Sequence, residues 1–437
     1  MGTPNGARRW SRTAIAVAAA VLVIVSSAAI AYRVLAPAEV VTPARTAYPP
    51  AATVRPGVVG ILNAAPLIVD DRLRVYATTR QVRADQPVGA KTRRTPYWSF
   101  RRWPAEVAGL LAAGSTVVTR WSDGELVALD ARTGRVDWRA GGPRPDQGYA
   151  GRRTGAATVY APAGLYTASG ADGQRVLIVT GDSERRGIDL SSGRQLWRVA
   201  VDGACRTEGL ATTGGRFVTV DTCVTPQVVE FHDVVTGALA GRWRPDDPGP
   251  MVEAGPADEA GPADDAGPMV EVAPVGCAAG RSGCPAIRTT SGGGSRGWLV
   301  DGADPVAVPT LDGPETALVG DVAVRPEGTK LLARSVRTGA ELWHWSGVGA
   351  ARILAVQPGR VHLRTEAREL LTLDSDTGEE RSRFPFTYGR DSTAWASGYA
   401  YAASGFVAVE RLAEPVDPAA GDRRYYLAAQ PVILAAT

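Results

Sequence analysis

The stretch Ala128 to Trp138, ALDARTGRVDW, returns four more times along the chain. GIDLSSGRQLW runs from Gly187 to Trp197 and ARSVRTGAELW from Ala333 to Trp343. FHDVVTG, Phe231 to Gly237, reaches Trp243, and TLDSDTG, Thr372 to Gly378, reaches Phe384. The common core is Asp-x-x-Thr/Ser-Gly followed by a large aromatic. Its members are Asp130, Gly134 and Trp138; Asp189, Gly193 and Trp197; Asp233, Gly237 and Trp243; Gly339 and Trp343, with Ser335 in place of the Asp; and Asp374, Gly378 and Phe384. Each copy reads as a β-hairpin. The residues before the Asp are apolar, the Asp side chain can accept hydrogen bonds from amides just ahead of it, and the Gly supplies the positive φ of the turn. The aromatic then lies on the next strand, where its area is buried against a neighbouring sheet.

The glycines stand at 134, 193, 237, 339 and 378, in steps of 59, 44, 102 and 39 residues. Propeller blades repeat at about 40 to 50 residues. Three steps therefore suit one four-stranded blade each, and the step of 102 suits two, one having lost its signature. The pattern resembles the PQQ-like β-propeller repeat family, chiefly through Thr133-Gly134 with Trp138, Ser192-Gly193 with Trp197, and Thr338-Gly339 with Trp343. The resemblance covers about residues 60 to 437. It implies an all-β fold, a single propeller of eight four-stranded blades, or seven if the first or last segment only completes a shared closing sheet. The family holds quinoprotein dehydrogenases and also non-enzymatic propellers, such as the lipoprotein of the outer-membrane assembly machinery. Propellers host many functions.

Composition agrees with an all-β chain. In 437 residues there are 50 Gly and 31 Pro, and no long amphipathic helical pattern after the N-terminus. Only Lys91 and Lys330 are lysines among 48 basic residues; with so much Ala, Gly and Pro this points to a GC-rich, actinobacterial source.

Thr13 to Tyr32 is uncharged, and about 20 apolar residues suffice to span a bilayer. Arg8, Arg9 and Arg12 precede it, so residues 1–12 are expected in the cytoplasm, 13–36 as a single-pass transmembrane helix and the propeller outside the cell membrane. A cleaved signal peptide ending near Ala29-Ile30-Ala31 is the rival reading. Residues 37–57, rich in Pro, Ala and Thr, read as a stalk, and 58–437 as the propeller.

Four cysteines fit an oxidising compartment. Cys205 and Cys223 are symmetric about the turn signal at Gly214-Gly215, which pairs them across a hairpin, and Cys277 and Cys284 bracket the short loop AAGRSG. Free buried thiols are the alternative. No metal site is expected, since there is no C-x-x-C and His232, His344 and His362 are scattered. Residues 245–272 contain a tandem GPxxxx repeat and eight acids, and read as a solvent loop.

The Arg-rich run from Arg72 to Arg102 holds nine basic residues against Asp85 alone. Arg93, Arg94, Arg101 and Arg102 are the candidate interaction surface, toward anionic lipid or a wall polymer; a solvated blade surface is the plainer reading. Nucleic acid is not an expected partner outside the cell. GGSRG at 293–297 matches the nucleophile-elbow pattern, but Trp298-Leu299-Val300 reads as a strand where an elbow needs a helix. A quinoprotein dehydrogenase would need an axial pocket, a calcium site and, in the family enzymes, a vicinal disulfide; no two cysteines here are adjacent. No cofactor and no catalytic residue are expected. The function expected is that of a membrane-anchored extracytoplasmic scaffold that binds another envelope protein, a wall or a lipid component, with the PQQ-dependent enzyme as the alternative.

Overall fold

A computed structural model describes the chain except residues 1–5, 86, 90–95, 147–148, 150–153, 253–268, 293, 348, 350, 389–393 and 415–429. The described strands form eight antiparallel sheets, which are the eight blades of a propeller. Blades 2 to 7 are each continuous in sequence, spanning 107–141, 165–200, 210–252, 271–307, 317–346 and 351–385. The 102-residue step between signatures does hold two blades, and the one without a signature is blade 5, 271–307, around Trp298. Blade 8 takes three strands from 396–436 and its outer strand, Gly57–Leu62, from the other end of the ring. The ring is thus closed by hydrogen bonds between early and late chain, with Val58 opposite Ala435 and Leu62 opposite Val432.

Blade 1, 67–103, carries a fifth strand, Ala38–Thr42, which pairs antiparallel with Trp98–Trp103. This corrects the reading of 37–57 as a free stalk. Val40 and Val41 have the β-branched side chains of a strand, and the chain that follows stays on the ring: the Ala44 amide donates to Thr133 O and the Ala52 amide to Asp71 O. The acidic segment 245–272 is likewise bounded by strands at Asp247–Val252 and Glu271–Val275, and its centre, 253–268, lies outside the described residues.

The cores lie between blades. Val118, Leu126 and Trp138 of blade 2 pack with Leu177 and Ile188 of blade 3. Tyr166 and Ile178 of blade 3 meet Phe217 and Val234 of blade 4, and so on around the ring to Leu370 and Phe386 against Val407 and Ile433. A sheet presents two faces and each is buried against a different neighbour, so the strands read as near-continuous apolar runs.

The repeat residues form a latch at these seams. Asp189 Oδ1 accepts from the amides of Ser191 and Ser192, Asp233 Oδ1 from Val235 and Thr236, and Asp374 Oδ1 from Asp376 and Thr377. Ser335 Oγ does the same for Arg337 and Thr338. The turn glycine follows, at φ +73° for Gly193, Gly237 and Gly378. The indole of the preceding blade lies on that turn. Trp98, Trp138, Trp197 and Trp343 donate from Nε1 to the carbonyls of Ala131, Leu190, Val234 and Ser375, at 2.7 to 3.0 Å. A Cβ placed on Gly134, Gly193, Gly237 or Gly378 would stand 2.4 to 2.7 Å from the ring of that same Trp. The Gly therefore serves twice, for its φ and for the close approach of the indole. Trp138 and Trp343 are buried and Trp197 is half-buried. Trp243 lacks a turn to meet in blade 5; it packs edge-on against Trp298, ring centroids 4.6 Å apart. Phe384 packs at the blade 7–8 seam.

The N-terminal helix, Gly6–Leu35, stands apart from the ring, and the side chains described within it, at 14–29 and 32–33, are exposed. Among the described residues no helix is long and apolar enough to cross a membrane.

Candidate functional site

The first strands of neighbouring blades face one another around the axis, and two insertions enter the space they leave. One is the connection from blade 2 to blade 3, which carries the short helix Ala156–Tyr160. Tyr160 stacks on Tyr401 of blade 8, centroids 4.7 Å apart, and its hydroxyl donates to Pro66 O; Ala65 donates to Thr154 O, and Thr154 Oγ1 to Glu410. The helix is thereby pinned to blades 8 and 1. The other insertion is the loop closed by Cys277–Cys284, S–S 2.00 Å. The Ala211 amide donates to Arg281 O, the Cys284 amide to Ala211 O, and the Thr167 amide to Ser282 Oγ. This loop from blade 5 therefore reaches past blade 4 to blade 3.

Between the two insertions lies a cavity of about 1030 Å³, lined mainly by blades 2 to 5. Its mouth is acidic, with Asp146, Asp182 and Glu208 exposed, and its wall carries Arg120, Arg185, Arg206 and Arg281. Arg120 interrupts the apolar strand Thr116–Trp121. Its Nη1 donates to Gly164 O and Ala163 O, and its Nη2 to Thr180 O and Pro143 O, at 2.6 to 3.2 Å. Burial lowers its pKa to about 10. Arg185, on the strand Glu184–Asp189, places Nη2 3.2 Å from His232 Nε2, and burial lowers it to about 10 as well. Burial also pushes the His232 imidazole below its usual pKa. Burial would raise the Glu230 carboxyl, yet the His232 hydrogen bond and the charges of Arg206 and Arg242 hold it at about 2. Behind the wall Arg206 pairs with Asp221 and Glu230 at 2.7 and 3.2 Å.

The residues singled out in the sequence are spread around the ring, with Cys277 and Cys284 in the loop beside the cavity. The repeat residues lie at the blade seams, and their carboxylates are committed to turn amides. Cys205 and Cys223 are bonded, S–S 2.03 Å and Cα–Cα 5.0 Å, but neither lies in a paired strand: Cys205 ends the short helix Gly203–Cys205 and Cys223 follows the strand Arg216–Asp221. The hairpin is anchored at its open end by the bridge of Arg206 with Asp221. Of the Arg cluster, Arg93 and Arg94 lie outside the described residues and Arg101 is exposed. Arg102 is no free surface charge. It pairs with Glu39, Asp123 and Glu125, while Arg139 pairs with Glu39 and Glu125, so the cluster ties the extra strand to blades 1 and 2. Arg120, Arg185, Arg206 and Arg281 do not stand out in the sequence, because Arg is common throughout the chain. The available signal was a single charge inside an apolar strand, TVVTRW.

Ser295 sits within the strand Gly294–Leu299, paired with Ala286–Ser291, and no helix follows it; Gly293 lies outside the described residues. The quinone of the dehydrogenases would need axial space. Here Ala156–Tyr160 fills part of the axis, and among the described residues no three His, Cys, Asp or Glu side chains come together to hold a metal.

The fold is that of an eight-bladed β-propeller built from PQQ-like repeats. The chain belongs to the family described as outer membrane protein assembly factor BamB, whose model matches residues 53–208 and 163–346. No curated protein matches by sequence. Among solved structures, BamB from Moraxella catarrhalis is 16% identical, with 87% of this chain and 97% of that one covered and a TM-score of 0.42. The computationally designed Ika8 protein is 12% identical, 87% and 99% covered, TM-score 0.46. The C-terminal WD40 domain of Sif2 is 13% identical, 87% and 96% covered, TM-score 0.43.

Proposed function

We propose that this chain is a membrane-anchored, extracytoplasmic propeller that acts by binding another protein of the cell envelope and does not act as an enzyme. The observation that carries the scaffold reading is the use made of the repeat chemistry. The Asp, Gly and Trp of the signature are consumed in holding blade to blade, so what is left for function is the rim and the axial mouth. Membership of a family described as an assembly factor agrees with this. The anchor reading rests on the uncharged stretch Thr13 to Tyr32 behind Arg8, Arg9 and Arg12, and on a helix that leaves Ile15, Leu22 and Ile24 66 to 69% exposed among the described residues. The two disulfides suit an oxidising compartment. Cross-linking in native membranes followed by pull-down tests the proposal. The full-length chain should fractionate with membranes and capture a reproducible envelope protein. A soluble product beginning near Tyr32, or capture no different from that of an unrelated anchored domain, would count against it. Charge reversal at Arg101 with Arg93 and Arg94 tests the basic surface; Arg102 is left intact because it holds the ring.

A further inference from the structure

Among the described residues two guanidinium groups in the axial cavity form no salt bridge, although the charges of Asp146 and Glu230 act on Arg120 and Arg185 from a distance. Arg120 and Arg185 are 1% and 6% exposed and line the same space. Arg120 meets only carbonyl oxygens, and its Nε has no hydrogen-bond partner among the described residues. Arg185 meets the His232 ring through Nη2, and its buried Nη1 has no partner among the described residues. The nearby carboxylate of Glu230 is already shared by Arg206, Arg242 and His232. The other acids stand at the mouth. Glu208 lies 3.4 Å from Arg281, and the Asp146 carboxyl is pushed up by burial and by Asp182 beside it, against the charge of Arg120, which pulls it down. A buried cation without a countercharge is costly, and proteins keep one where a ligand supplies the charge.

We infer that the axial cavity is a binding site for an organic oxyanion, a carboxylate or a phosphate monoester, anchored by Arg185 with Arg120 reinforcing the positive field. A guanidinium presents donors in a planar fork that suits either oxyanion. The volume, about 1030 Å³, is that of a small-molecule site and exceeds the needs of a bare ion. The acidic mouth sets the rest of the ligand. Glu208 is paired with Arg281, and the adjacent Asp146 and Asp182 disfavour a second anionic group at the mouth, so the ligand has one anionic head and a neutral or cationic remainder.

Titration calorimetry of the full chain in detergent tests this with three probes: triglycine, which carries a free carboxylate; triglycine amide, which does not; and glycerol 3-phosphate. Saturable one-to-one binding of triglycine or of glycerol 3-phosphate, without binding of the amide, is expected, and which of the two binds assigns the head group. Arg185→Gln should weaken that binding at least tenfold while leaving the melting temperature unchanged or higher, because it removes a buried charge that no salt bridge holds. Asp182→Asn, at an exposed position that does not threaten the fold, should tighten it a few-fold and decides the matter if Arg185→Gln fails to fold. No saturable binding by either anion, equal binding by the amide, or affinity unmoved by both substitutions would overturn the site.

Discussion

Trp138 is held on both sides: its indole N–H reaches Leu190 O at 3.0 Å, and its ring lies against Gly193. Opposite it on its own sheet is Ala128, and opposite Trp197 and Trp343 are Gly187 and Ala333, so a small neighbour makes room for each ring. Trp138→Ala and Trp343→Ala should each cost about 3 to 5 kcal/mol, and Trp197→Ala less, since that ring is half-buried. The glycines separate the two demands made on them. Gly339 has φ +71° but nothing within 4 Å of an added Cβ, because blade 5 offers no Trp to that turn. Gly339→Ala should therefore cost only the left-handed backbone term, about 1 to 2 kcal/mol. Gly193→Ala has the same backbone term and must also displace Trp138, which brings it toward the Trp→Ala value. Denaturant midpoints of the two variants, measured at equal slope, give the comparison; equal losses would show that the indole contact contributes nothing.

At the level of elements, the two disulfides restrain different things. Cys205–Cys223 closes a separation of 18 residues at the open end of a hairpin, and Cys277–Cys284 closes one of 7 in the loop that walls the cavity. By loop entropy the first contributes about 3 kcal/mol and the second about 2 kcal/mol. Replacing the first pair by Ser should thus lower the thermal midpoint more than replacing the second, which calorimetry of the two double variants checks. The hairpins with an Asp-x-x-Thr/Ser-Gly turn were legible in the sequence because turn chemistry, strand pattern and aromatic spacing agreed at one place. Blade 5 carries no signature, and only the 102-residue step between Gly237 and Gly339 marks its place. Three features were not legible, each for a physical reason. The helix Ala156–Tyr160 has five residues, too few to show a period. The strand Ala38–Thr42 is exposed along its whole length, so no alternation of burial marks it. The cavity arginines come from separate blades, and only the ring brings them together.

For the molecule as a whole, the seam between blades 7 and 8 should be the part that weakens in acid. His362 is fully buried, with Gln357 Nε2 2.7 Å from its Nε2 and Thr372 Oγ1 3.1 Å from its Nδ1. The Gly405 amide occupies Gln357 Oε1, so the Gln amine faces the ring; Nε2 accepts and Nδ1 donates. Burial, with the charge of Arg360, lowers the imidazole pKa to about 3. The unfolded chain takes up this proton near pH 6.5 and the folded ring refuses it until about pH 3, so stability falls as pH drops through that window. His362→Gln should flatten the melting temperature between pH 6.5 and pH 4; an unchanged slope would place the sensitivity elsewhere. Closure of the ring has a consequence in time. Gly57–Leu62 leaves the ribosome among the first strands, and its partner, Val432–Ala436, among the last. During synthesis the early strand waits with unpaired amides and carbonyls, a ready template for pairing with another chain. Folding therefore cannot be completed blade by blade as the chain emerges. A nascent chain stalled before residue 432 should remain protease-sensitive and dependent on chaperones however many blades it has already made.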